Sequence, residues 1–98
     1  MTKRGIEVTW TRGGSGVIVE TDGRFAVVES DTPAAPGTPL VGQTSSPEAR
    51  YEIKVRSCRR LSEAPVRYRV DGRFVNLSGR QRQALLDELG PDQHDPEL

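Results

Sequence analysis

Ninety-eight residues, 34% hydrophobic and 29% charged with a mean hydropathy of −0.59, describe one small polar domain with no room for a second core. No apolar run approaches the ~20 residues of a membrane-spanning helix, and Met1–Gly5 carries no hydrophobic stretch of a secretion signal, so no membrane insertion is expected. The formal net charge is zero but unevenly spread: residues 1–49 hold 4 Lys/Arg against 6 Asp/Glu, residues 50–82 hold 10 against 3, and residues 83–98 hold 0 against 5.

A basic middle followed by an acidic end implies an asymmetric surface. The plainest account of the basic part is the solvated side of an exposed sheet, screened by the acidic tail. Cys58 is the single cysteine, which excludes an internal disulfide and points to the cytoplasm.

Ile6, Val8 and Trp10 alternate with polar residues, the period-two pattern of a first strand. The glycine-rich turn Arg12–Gly16 ends it. That turn lacks the Lys-Ser/Thr end of a phosphate loop, and no helical pattern follows it. Val17–Glu20 and Phe25–Glu29 read as strands two and three, joined by Thr21–Arg24 with its Asp-Gly hairpin signal. Their nearly continuous apolar runs imply partial cover on both faces, or a bulge that shifts the phase. Asp31–Pro39, with Pro33, Pro36, Gly37 and Pro39, reads as a semi-rigid loop over the barrel end. Leu40–Gln43 makes a short fourth strand and Thr44–Pro47 a polar turn.

The longest alternation lies further on. Tyr51, Ile53 and Val55 point one way, with Glu52, Lys54 and Arg56 between them; Val66, Tyr68 and Val70 do the same beyond a turn at Leu61–Pro65. Extending that alternation places Cys58 on the solvent side, among Arg56, Arg59 and Arg60, surroundings that favour a reactive thiol. Ser78 and Gln81 form a capping box at the start of a helix in which Ala84, Leu85, Leu86 and Leu89 make an apolar stripe. Gly90-Pro91 ends it. About eleven residues are too few for a helix to stand alone, so it must dock, with Val75 and Leu77 as its contacts. The expected organisation is a barrel domain over residues 1–90 and a disordered acidic tail over 91–98.

The order of elements resembles the PilZ family, named for a pilus-biogenesis protein. Three stretches carry the likeness: Gly16–Ser30 as the central hairpin, Pro36–Leu40 as a Pro-Gly-Thr loop entering a strand, and Lys54–Arg56 with Tyr68–Ser78 as the closing strands and the run into the last helix. The resemblance spans about residues 5–89. It implies a mainly β fold, a small antiparallel six-stranded barrel with one C-terminal α-helix. Family members bind cyclic-di-GMP through an RxxxR arm before the first strand and a D/NxSxxG stretch in the central hairpin. Here only Lys3-Arg4 precedes the first strand. Gly23 can hold the motif's glycine, but Ile18 then stands in the Asx position and Glu20 in the Ser position. Usual cyclic-di-GMP binding is therefore expected to be weak or lost, with Lys3, Arg4, Gly23 and Arg24 as the remaining ligand candidates. An internal Arg56–Arg60 RxxxR followed by Asn76-Leu77-Ser78 mimics the two motifs by coincidence, since Ser78 is already a helix cap.

One histidine, His94, and one cysteine supply neither a catalytic pair nor a zinc site, so no enzyme and no resident cofactor are expected. The leading expectation is a PilZ-like regulatory or adaptor module in bacterial cyclic-di-GMP or type IV pilus and motility signalling. It would act by protein–protein contacts through Arg56, Arg59, Arg60, Arg67 and Arg69. One alternative is a genuine cyclic-di-GMP receptor with a non-standard site. The other is a small-barrel nucleic-acid binder using the same arginines, against which stand the zero net charge and few aromatics.

Overall fold

The computed structural model describes residues 5–45 and 48–89. Six strands close on themselves in the order β1-β2-β3-β6-β5-β4, every neighbouring pair antiparallel. They are β1 (Ile6–Trp10), β2 (Ser15–Thr21), β3 (Phe25–Ser30), β4 (Pro39–Ser45), β5 (Glu48–Glu63) and β6 (Val66–Phe74), followed by α1 (Gly79–Leu89). The chain is thus mainly β, a closed antiparallel six-stranded barrel with one helix near its C-terminus. Among the described residues no helix is long and apolar enough to cross a membrane.

The alternation read from the sequence fills the barrel. Ile6, Val8, Trp10, Ile18, Ala26, Val28, Tyr51, Ile53, Val55, Val70 and Phe74 are all buried. Trp10 is the largest of them, and it fits because the wall beside it has no side chains. A Cβ on Gly16 would lie 2.7 Å from Trp10 Cζ2, and one on Gly42 2.6 Å from Cε3. The indole Nε1 donates to the fully buried Ser30 hydroxyl at 2.9 Å, and Ser30 Oγ also accepts from the Thr32 amide at 3.1 Å. Ala34, in the proline-rich loop, packs against the same core, so the loop covers this end of the barrel.

The helix covers the other end. Ser78 Oγ accepts from the Gln81 amide and Gln81 Oε1 from the Ser78 amide, each at 3.0 Å, which completes the capping box with Ser78 as the cap and Gly79 as the first helical residue. Leu85 and Leu89 are buried, Leu77 packs on the same cluster, and Val75 is half-buried. Two side chains pin the helix: Gln81 Nε2 donates to the Arg50 carbonyl at 2.9 Å, and Arg82 Nε to the Gly23 carbonyl at 3.0 Å. The Pro91 stop and the acidic tail at 91–98 lie outside the described residues.

Four local expectations change. The apolar run of β2 carries a bulge between Ile18 and Glu20, leaving Ile18 inside and Val17 and Val19 half-buried outside. β4 runs on to Ser45 because Thr44 turns inward and is buried, so the expected turn shrinks towards Ser46 and Pro47, which are outside the described residues. The hairpin reversal is Ala64-Pro65 alone, joined by a cis peptide bond. Ser62 and Glu63 stay in β5, paired with Arg67 and Val66, and the Ser62 hydroxyl donates to the Pro65 carbonyl at 2.7 Å. Finally, a bulge between Val55 and Ser57 inverts the alternation, so that Cys58 lies opposite the buried Val70 and packs half-buried against the core rather than on the solvent side.

Candidate functional site

β5 is much longer than the strand beside it. β4 pairs with β5 from Glu48 to Lys54, and Val55 exchanges backbone bonds with Gly37 and Thr38 at 2.8 and 3.0 Å. From Arg56 to Glu63 the strand has only β6 as a partner, so the distal hairpin projects from the barrel as a two-stranded ribbon. Residues directly opposite each other in an antiparallel pair share a face. One face continues the barrel interior through Cys58–Val70, Arg60–Tyr68 and Glu63–Val66; the other continues the exterior through Lys54–Arg73, Ser57–Asp71, Arg59–Arg69 and Ser62–Arg67.

This divides the expected interaction residues. Arg59, Arg67 and Arg69 share the exterior face. Arg56, the extra residue of the bulge, joins them there, its guanidinium 6.0 Å from the centroid of the outward Phe25 ring. Arg60 stands on the opposite face beside Tyr68, with Glu63 Oε2 at 3.5 Å from Nη1. Asp71 lies within the exterior face and pairs with Arg69 at 3.6 Å. Among the described residues Lys54, Arg56, Arg59, Arg67 and Arg73 form no ion pair. Two residues not expected to belong to the site, Lys54 and Arg73, extend it toward the helix end. With Phe25, Val55 and Arg56 they line a shallow groove of about 340 Å³. Alternation with the buried Ala26 and Phe74 was the available signal for Phe25 and Arg73 facing outward together. Leu61 and Val66, at the ribbon's tip, are 45% and 40% exposed.

The ligand candidates drawn from the resemblance separate. Lys3 and Arg4 lie outside the described residues. Gly23 adopts φ 93° in the β2–β3 turn, and its carbonyl is taken by Arg82 of the helix. A Cβ there would meet Arg82 Cδ at 3.1 Å. Asp22 holds the same turn: its carboxylate accepts from the Phe25 amide at 2.9 Å and the Arg24 amide at 2.8 Å, which lowers its pKa below the ordinary value. Arg24 is exposed. Ile18, in the Asx position, is fully buried in the core, where it presents nothing to a ligand. Arg56 and Arg60 of the internal RxxxR stand on opposite faces, and Ser78 is occupied as the helix cap, so those groups do not converge.

Among the described residues no cluster of three or more His, Cys, Asp or Glu could hold a metal ion. No protein-family model, curated protein or solved structure matches this chain.

Proposed function

We propose that the chain is a PilZ-like regulatory adaptor of bacterial cyclic-di-GMP or type IV pilus and motility signalling, and that it docks a partner protein through the exterior of the β5–β6 hairpin. One observation carries the docking. Two like-charged pairs, Lys54–Arg73 and Arg59–Arg69, stand directly opposite each other on the same face of the same two strands. Such pairs destabilise a sheet, and a barrel has no need of them to close. A surface of opposite charge would turn the repulsion into attraction. The PilZ assignment rests on the sequence resemblance and on a fold of the expected class. Cyclic-di-GMP binding at the usual place is weak or lost in this reading, since the Gly23 turn serves the helix and Ile18 is internal.

The test has two arms. A photo-crosslinking residue at Arg59 or Arg67, introduced in the source cells, should give one discrete protein adduct, and the charge reversals Arg69→Glu and Arg73→Glu should abolish it. Titration of the purified chain with cyclic-di-GMP should give no saturable heat. Micromolar binding that shifts the amides of residues 18–24 would restore the usual receptor, and shifts confined to Phe25, Lys54, Arg56 and Arg73 would establish a non-standard one. A nucleic-acid reading is favoured by the Phe25 ring lying among three cations. Binding to single-stranded RNA that weakens linearly with log salt would select it.

A further inference from the structure

A closed barrel buries every strand edge, yet this one leaves an edge open. From Arg56 to Glu63 the side of β5 away from β6 has no backbone partner among the described residues. Unpaired donors and acceptors in an extended row are a template for another strand. The chemistry flanking that row selects among the strands that might use it. Arg56, Arg59 and Arg60 lie along it, with one acidic residue, Glu63, at its tip and Leu61 exposed between them. A second copy of the same edge would bring arginine against arginine, so the charges that guard the edge against self-association also define what it accepts.

We propose that the free edge of β5 receives an extended, acid-rich segment of a partner protein as an added strand. Its backbone would continue the ladder outside Arg56–Glu63, and its carboxylates would alternate onto the exterior face, where Arg59 and Arg56 stand without an acidic partner. This rests on the adaptor reading only in taking the partner to be a protein; it adds that the contact is made by main chain as well as by charge. Alternate residues of the incoming strand share a face, so acidic residues at every second position are the recognised pattern. The Leu61 bulge bends the edge at its distal end, which sets the usable length at about six residues.

The probe is an acetylated, amidated eight-residue peptide alternating valine with glutamate. Three comparison peptides accompany it: the valine–lysine counterpart, an N-methylated form blocked at its four central amides, and a scrambled form with the glutamates adjacent. The expected result is saturable binding of the valine–glutamate peptide. The β5 amides of residues 57–61 that face away from β6 should gain hydrogen-exchange protection, and cross-strand nuclear Overhauser contacts should join them to the peptide. N-methylation should weaken binding at least tenfold, scrambling should weaken it severalfold, and the lysine peptide should not bind. Equal binding of the N-methylated peptide would overturn the proposal by reducing the contact to charge, while leaving an adduct at Arg59 intact as support for the adaptor. Binding by none of the peptides overturns it too. So does self-association of the chain through hairpin-to-hairpin contacts, which would make a second copy the occupant.

Discussion

If Lys54 and Arg59 face like charges for the benefit of a partner, reversing them should make the isolated chain more stable. Lys54 lies opposite Arg73 and Arg59 opposite Arg69. Glutamate at either position replaces a repelling cross-strand pair with an attracting one, a swing of about 0.2–1 kcal/mol from each side of neutrality. Arg69 already pairs with Asp71, so Arg59→Glu should fall near the lower end and Lys54→Glu near the upper. The positions are roughly 16 Å apart along β5, far enough for their effects to add. The double variant should therefore gain about 1–2 kcal/mol, a rise in Tm of roughly 4–16 °C for a domain of this size. Thermal and urea unfolding followed by Trp10 fluorescence would measure it, with Arg80→Glu on the exposed side of the helix as the neutral comparison. Added salt should stabilise the parent chain more than the variant, because it screens the repulsion only the parent carries. If both reversals destabilise the chain, the two cations serve the fold and the case for a charge-selective docking face collapses.

Other consequences concern the frame. Leu85 has no exposed surface and sits mid-helix, so Leu85→Ala should cost about 3 kcal/mol, and Leu89→Ala, at the last helical turn, about 2; a loss below half a kcal/mol in urea unfolding would mean the helix does not seal the barrel. Gly42→Ala would press a methyl against Val8 Cγ1 and to 2.6 Å from Trp10 Cε3, so an overpacking loss of about 1–3 kcal/mol is expected, with a red shift of Trp10 emission. Ser30→Ala strands the buried indole N–H and should cost about 1–3 kcal/mol, whereas Ser30→Thr, if it unfolds no earlier than the parent, would show that the hydroxyl is what matters there. The carboxyl of Asp22 is held below its ordinary value of 3.8 by the Phe25 and Arg24 amides, so its contribution is whole above about pH 4 and is lost as pH falls through the lower folded value. Asp22→Ala should accordingly flatten the acid limb of the stability profile, and an unchanged limb would contradict the cap.

The barrel was readable because its signals are local. Period-two alternation in β1, β3 and β5, the Asp-Gly turn and the Ser78–Gln81 box each state a conformation within a few residues. What escaped was set by distance. The burial of Ser30 depends on an indole twenty residues away, and Gly16 and Gly42 are needed only because that ring lies between them. Bulges were invisible for a related reason: one unpaired residue at Arg56 reverses the facing of everything after it, and no residue type there announces it. The error over Cys58 follows directly. The five arginines were found as a cluster in sequence, but their division between two faces needed the register, as did the addition of Lys54 and Arg73.

The same register explains why the basic charge collects where it does. Solvated surface elsewhere in this chain mixes its signs: α1 carries Arg80 and Arg82 together with Asp87 and Glu88. Solubility alone would be met by that mixture on the hairpin as well. Instead, along the length over which β5 outruns β4, cations face cations and backbone groups face no strand. Closure satisfies the strand edges of the barrel itself, so an overhanging ribbon is the place where such a fold can offer both main-chain pairing and charge to another chain. The mismatch in strand length supplies the first, the arginines supply the second, and their coincidence on one segment is what separates a docking element from a merely soluble surface.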